Sequence, residues 1–277
     1  MDRSEEARET ALEASRAHYA HLAYYRDRVL AERSAAETKR QLDFIEFAFR
    51  THATHEVRDV LDVACGNGRH ILALARRGFR CTGLDYTPEQ VQIAQARAKG
   101  EGMSVRLLQG EATRLNYESE FDAALAILIL FLLPNDDDVL GCLRKIHRAL
   151  RPGGIVVCNI ANPFYDGENW FSLRSVHHGH WSGDVRVPGM RYTSIDRVQD
   201  FDPLRGVAWW QETRFVQTKD GVHIFRDRER LRLLTYWDIL HYLRLAGFKE
   251  IKCYPDWKTK VPKKPKAEML VFVARKD

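Results

Sequence analysis

The stretch Val60-Leu61-Asp62-Val63-Ala64-Cys65-Gly66-Asn67-Gly68 decides the fold. An apolar run takes in one acidic residue, ends in two glycines, and passes into Arg69-His70-Ile71-Leu72-Ala73-Leu74-Ala75, whose apolar spacing is helical. This is a strand-loop-helix unit, the arrangement through which a parallel sheet presents its backbone to a nucleotide. Asp85, seventeen residues past Gly68, closes a second short strand, Gly83-Leu84-Asp85-Tyr86. It sets a carboxylate where the hydroxyls of a ribose would lie.

A residue without Cβ takes positive φ in a tight turn and lets backbone approach a ligand closely. The dinucleotide fingerprint G-x-G-x-x-G needs a third glycine to pack helix on strand beneath a pyrophosphate. Ile71 occupies that place, and counting from Ala64 instead puts Arg69 there, so neither register fits. Gly66 and Gly68 suit a nucleoside ligand without a pyrophosphate, with Asp85 bridging its ribose hydroxyls.

Asp62-x-Ala64-x-Gly66-x-Gly68 resembles the first motif of the class I S-adenosylmethionine-dependent methyltransferases, with Ala64 in place of the usual first glycine. Asp85 resembles that family's ribose-binding acid, and Tyr86 the residue flanking the adenine. Gln109-Gly110-Glu111-Ala112 resembles its "G-D-A" turn, which reads the adenine edge, with Glu111 one methylene longer than the usual Asp. Phe121-Asp122-Ala123-Ala124-Leu125-Ala126 resembles the fourth strand and Leu150-Arg151-Pro152-Gly153-Gly154 the turn into the fifth. These motifs recur in family order over residues 55 to 160. The resemblance implies S-adenosyl-L-methionine as cofactor, held by Asp62, Ala64, Gly66, Gly68, Asp85, Tyr86, Glu111, Ala112 and Ala126. It also implies a tyrosine near the methionine carboxylate from a segment folded over the cofactor. Of Tyr19, Tyr24 and Tyr25, Tyr25 is the choice, against the alternative of a helix packing its aromatic stripe on the domain.

At 277 residues and 45% hydrophobic content the chain can fill one large core with an elaboration, or two small ones. The N-terminus lacks a signal-peptide core, and the longest apolar run, Ala123 to Leu133, is too short for a membrane span, so a cytoplasmic protein is expected. Five scattered cysteines with no C-x-x-C pair fit a reducing compartment, and Cys65 reads as a small buried filler. The net charge of +5 is local. Lys249, Lys252, Lys258, Lys260, Lys263, Lys264 and Lys266 stand against Glu250 and Asp256, and the remainder is balanced. A dedicated nucleic-acid binder would spread a basic face more widely, so a nucleic-acid partner is not favoured.

Helical spacing over residues 4 to 50 predicts an N-terminal helical segment, domain 1–50. Residues 57 to 160 alternate strands (57–64, 80–84, 104–109, 121–131, 154–160) with helices (68–77, 88–99, 136–150). From Arg191 to Leu233 three long strands are separated by Asp202-Pro203-Leu204-Arg205-Gly206 and Lys219-Asp220-Gly221, both turn chemistry. A helix at 235–246 and strands at 248–254 and 268–275 resemble the end of the family's sheet. The expected fold is α/β: a doubly wound, Rossmann-like, seven-stranded, mostly parallel sheet over 51–164 and 234–277, with an antiparallel β-meander inserted at 165–233. Such an insertion implies a lid over the acceptor and a possible homodimer surface. Trp170, Phe171, Tyr192, Trp209, Trp210 and Tyr236 offer either the walls of a small organic acceptor's pocket or the meander's own core.

Methyl transfer needs alignment of nucleophile, methyl carbon and sulfur in a dry site, and a base only when the acceptor is a hydroxyl. Val176-His177-His178-Gly179-His180-Trp181 lies between strand five and the meander, and His178 and His180 are the candidate bases. A solvated loop is the competing reading. Neither helical nor strand spacing aligns these histidines with acids as a metal set, so no metal is expected. Three functions stay open: methylation of a small oxygen or nitrogen acceptor, methylation of tRNA or another large acceptor, and a non-catalytic nucleoside sensor or scaffold.

Overall fold

The computed structural model describes residues 3–165, 181–187, 189–261 and 266–277. Five parallel strands form first: β1 (Asp59–Val63), β2 (Arg80–Asp85), β3 (Arg106–Gln109), β4 (Phe121–Ala126) and β5 (Leu150–Ala161). The helices are α1 (Arg3–His52), α2 (Arg69–Arg76), α3 (Pro88–Gly100), α4 (Asp136–Ala149) and α5 (Tyr236–Leu245). Strands β6 (Trp181–Val187), β7 (Met190–Asp202), β8 (Val207–Thr218) and β9 (Gly221–Arg232) make a second sheet, and β10 (Lys249–Pro255) and β11 (Met269–Arg275) complete the first.

The large sheet has seven strands in the order β10-β11-β5-β4-β1-β2-β3, with β11 antiparallel to both its neighbours. The order reverses at β1, whose neighbours β2 and β4 lie on either side, and ligands of open α/β sheets bind beyond the strand ends at such a switch point. Both faces are covered, which explains why β4 reads Phe-Asp-Ala-Ala-Leu-Ala with every residue buried. On one face α4 and α5 supply Val139, Leu143, Ile146, Ile239 and Leu243. On the other, α2, α3 and the last turns of α1 supply Ile71, Leu74, Val91, Ala94, Phe44, Ile45 and Phe49.

The expected fourth strand, 121 to 131, is too long. β4 stops at Ala126, Leu128 takes a left-handed φ of 59°, and Leu130–Leu132 forms a 3-10 turn. The cause is tertiary. The Leu128 N–H donates to the Asn159 Oδ1 of β5 at 2.9 Å, pulling the chain out of the ladder. The inserted meander is four-stranded, order β6-β7-β8-β9, one strand more than the turn chemistry predicts. Its end nearest the large sheet is not a separate core, because Ala208, Trp210 and Leu231 join the cluster around β4, β5 and α4.

The N-terminal segment is one 50-residue helix. Its first half runs between the carboxyl end of the large sheet and the second sheet. Arg8 reaches Glu111 and Asp138, Arg16 lies 5.9 Å over the Tyr86 ring, and the Tyr19 carbonyl accepts from Gln90 Nε2 at 2.9 Å.

Candidate cofactor site

The glycine loop after β1 is built to be approached. Ala64, Gly66 and Gly68 have φ of 61°, 54° and 83°, three left-handed residues in five. Alanine tolerates this at a cost of about 1–2 kcal/mol, whereas Gly68 has a second reason to lack a side chain. A Cβ there would sit 3.0 Å from Leu72 Cγ and 3.1 Å from Ala94 Cβ, between α2 and α3. At Gly66 a Cβ would meet only Gln90 Oε1, at 3.9 Å. The space above Gly66 is open to a ligand, and that above Gly68 is taken by packing.

Asp85 anchors the loop. Its two carboxylate oxygens accept the Gly66 N–H at 2.7 Å and the Thr87 N–H at 2.8 Å. The Thr87 side chain also bonds this carboxylate, and the acceptor capacity that remains is what a ribose diol would draw on. Burial raises the Asp85 carboxyl above its ordinary range, with the hydrogen bonds from Thr87 and Gly66 opposing. The loop is held from below by Cys65 N–H to Leu84 O at 3.0 Å and from the side by Arg97 to Asn67 O at 3.1 Å. Burial pushes the Cys65 thiol well above its usual value, so it packs as a filler against Gly83.

Asp62 lies one turn deeper, 1% exposed. Burial pushes its carboxyl up to about 8, with Arg69 opposing, and its Oδ2 has no hydrogen-bond partner among the described residues. A buried acceptor without a donor is costly unless a bound group completes it. The ammonium of an amino-acid tail has the charge and the donors to do so. The residues present therefore fit S-adenosylmethionine: Asp85 for the ribose, the open backbone at Gly66 for close approach, and Asp62 for the methionine end.

The adenine side is more crowded than the sequence implies. Glu111 is ion-paired with Arg8, accepts from Thr113 Oγ1 at 2.5 Å and pairs with Arg114 at 3.0 Å. Burial opposes ionisation there, but the Thr113 and Arg8 hydrogen bonds hold the Glu111 carboxyl below its usual value. Tyr86 is capped by Arg16. Both residues thus lie beneath α1, and Arg8, Arg16 and Gln90 border the candidate site in a way that motif reading misses, since no local spacing links residue 8 to residue 111. The Ala112 and Ala126 side chains pack in the core, which leaves only their backbone to face a ligand. Tyr25 lies on α1, but its side chain is outside the described residues, as are His178 and His180 altogether.

The second sheet turns a polar face inward. Cross-strand partners share a face, so the registers Ser194 with Arg214, Asp196 with Glu212 and Glu212 with Asp227 define one surface. Arg214, 1% exposed, pairs with Glu212 and with Asp227, the latter at 2.5 Å. His21 of α1 meets Asp227 at 2.5 Å, and His18 lies 3.6 Å from Glu229. Trp210 is the buried one of the tryptophan pair, while Trp209 faces out beneath Arg228, 4.4 Å from its ring.

Residues 60–154 match the family model described as a methyltransferase domain. Most of the chain superimposes on a crystal structure of an S-adenosylmethionine-dependent methyltransferase from Clostridium acetobutylicum, with a TM-score of 0.74 at 20% identity, covering 93% of this chain and 98% of that one. The fold is that of S-adenosylmethionine-dependent methyltransferases. A second solved structure, the amino pentose methyltransferase CalS10 of Micromonospora echinaspora with S-adenosylmethionine bound, matches at a TM-score of 0.65 and 20% identity over 89% of this chain and 97% of that one. Among curated sequences, a Geobacillus sp. (strain WCH70) protein carrying a methyltransferase name is 25% identical over 93% of this chain and 99% of its own length. A demethylmenaquinone methyltransferase of Tropheryma whipplei is 37% identical over 38% of this chain, which spans 43% of it. S-adenosylmethionine is the cofactor of the solved structures this chain resembles, and the chain's doubly wound sheet is the one the glycine loop implies. Among the described residues, no helix is long and apolar enough to cross a membrane.

Proposed function

We propose that the protein transfers the methyl group of S-adenosylmethionine to an oxygen or nitrogen of a small organic acceptor. The observation that carries this reading is the inward face of the second sheet. Ser194, Asp196, Asp227 and Glu229 are buried there beneath α1, at the level where Tyr19 joins Gln90 beside the glycine loop. A long anionic polymer needs an open basic track, whereas an enclosed polar surface of net negative charge suits a compact amine or polyol. The sugar N-methyltransferase KedS8 and the amino pentose methyltransferase CalS10 are among the solved structures that match most of the chain, which supports a small polar acceptor.

When bound, the cofactor supplies a sulfonium methyl open to in-line attack by a lone pair. The chain's contribution is orientation and exclusion of water: Asp85 fixes the ribose, the Gly66 backbone admits the ligand, and α1 with the second sheet encloses the acceptor. An uncharged amine attacks without a base and releases its proton after the transfer. For a hydroxyl acceptor, His178 or His180 takes the proton in this proposal. The enclosing role of 165–233, and a homodimer through its free edge strand, belong to the same proposal.

The test is incubation of the protein with methyl-labelled S-adenosylmethionine and a metabolite-containing cell extract, followed by separation into small-molecule, protein and nucleic-acid fractions. Label is expected in the small-molecule fraction. Label confined to nucleic acid, or none above a boiled-enzyme control, overturns the proposal.

A further inference from the structure

Asn159 is a lone polar residue in the apolar run Ile155-Val156-Val157-Cys158-Asn159-Ile160-Ala161, 1% exposed. Its Oδ1 accepts the Leu128 N–H at 2.9 Å, which fixes the amide's orientation and leaves Nδ2 as the outward donor. That Nδ2 is buried and has no partner among the described residues. A buried donor left without a partner is costly, so a side chain that only served Leu128 would be poorly chosen.

The sheet register says what lies nearby. Asp62 pairs with Leu125 and Leu125 with Val157, so Asp62 and Val157 are level across β1, β4 and β5. Side chains alternate along a strand, which puts Asn159 on the face of Val157 and Asp62, two residues nearer the carboxyl end. With strands spaced about 4.8 Å apart, the two Cα atoms are roughly 12 Å from each other. Between them β4 ends and the chain turns away at Leu128. Two buried orphans of opposite kind, the acceptor Asp62 Oδ2 and the donor Asn159 Nδ2, thus flank one end of the topological switch point. An amino-acid group presents the complement of this pair on a single carbon: an ammonium to the acceptor and a carboxylate to the donor.

We propose that Asn159 is a cofactor-binding residue whose Nδ2 donates to the carboxylate of the methionine end of S-adenosylmethionine, opposite Asp62 on the ammonium. This rests on the cofactor site described above. It also gives Asn159 a second task, since the amide that binds the carboxylate also sets the turn at Leu128 above which an acceptor must sit. Asn159→Asp keeps an oxygen for the Leu128 N–H but replaces the donor with a negative charge.

The experiment is calorimetric titration of wild type, Asn159→Asp and Asn159→Ser with S-adenosylmethionine and with its decarboxylated analogue, which retains the nucleoside and the ammonium. Wild type is expected to prefer the carboxylated ligand by tenfold or more. Asn159→Asp should lose that preference through weaker binding of S-adenosylmethionine alone, and Asn159→Ser, read by the same ratio if the aspartate variant does not fold, should reduce it. A preference unchanged in the variants, or both ligands weakened equally, overturns the proposal while leaving the cofactor site standing. Wild type that binds neither ligand refutes the cofactor site itself.

Discussion

The Asp85 carboxylate accepts the Gly66 N–H at 2.7 Å, so the acid at the end of β2 holds the glycine loop that follows β1. One residue therefore shapes the loop and, in the proposed site, would also face the ribose. Asp85→Ala should weaken S-adenosylhomocysteine binding by about 1.5–3 kcal/mol, the range for a hydrogen bond to a charged group. Asp85→Asn, which retains one acceptor oxygen, should lose less. Calorimetry showing equal affinity for wild type and Asp85→Ala would remove Asp85 from the site.

The two glycines should fail differently. Gly66→Ala meets open space and pays mainly for its φ of 54°, about 1–2 kcal/mol of stability, with a larger loss in cofactor affinity. Gly68→Ala adds a clash with Leu72 and Ala94 to the same strain and should cost roughly 2–4 kcal/mol in urea unfolding. The reverse order of stabilities would mean that the loop is not packed as described.

Much of this was legible in the sequence, and the exceptions have a common cause. The glycines at Gly66 and Gly68, the acid at Asp85 and the alternation of strands and helices are local signals, and the structure has left-handed glycines in the loop after β1, Asp85 at the end of β2 and the alternation as read. The end of β4 is not local: it depends on Asn159, thirty-one residues away. Glu111 matches the adenine-reading position, yet its environment is set by Arg8 across 103 residues. The inward face of the second sheet carries charges where alternation alone would place an apolar core, because α1 brings His18 and His21 to meet them. A polar residue inside an otherwise apolar strand, as at Asn159, is the signal that would have pointed to the missing site residue.

Asp62 should make cofactor binding depend on pH. Its folded-state value of about 8 lies above the ordinary 3.8, so its contribution to stability is fully present below about pH 4 and is lost as pH rises through 8. Pairing with an ammonium requires the ionised form. Binding of S-adenosylhomocysteine at pH 7 should then release a proton and strengthen as pH rises from 6 to 8. Titrations in two buffers of different ionisation heat measure the release, and Asp62→Asn should abolish it. Proton uptake, or release that persists in the variant, contradicts this role.

The first half of α1 should act as a roof that slows cofactor exchange. Arg8 ties it to Asp138 and Glu111, and Arg16 to Tyr86. Arg8→Ala should raise the dissociation rate of S-adenosylhomocysteine by roughly 3- to 10-fold, with association little changed. Amide hydrogen exchange over residues 5 to 20 should quicken in the variant. A dissociation rate equal to wild type would show that α1 does not gate the site.

In the proposed function, the loop Asp62–Gly68 with Asp85 is a nucleoside site lacking a place for a pyrophosphate. Its most direct test is titration of the wild-type protein with S-adenosylhomocysteine and, separately, with NAD. Saturable one-to-one binding of S-adenosylhomocysteine is expected, with a Kd on the order of micromolar, and no heat from NAD at the same concentrations. Tight binding of NAD, or no binding of S-adenosylhomocysteine, would contradict it.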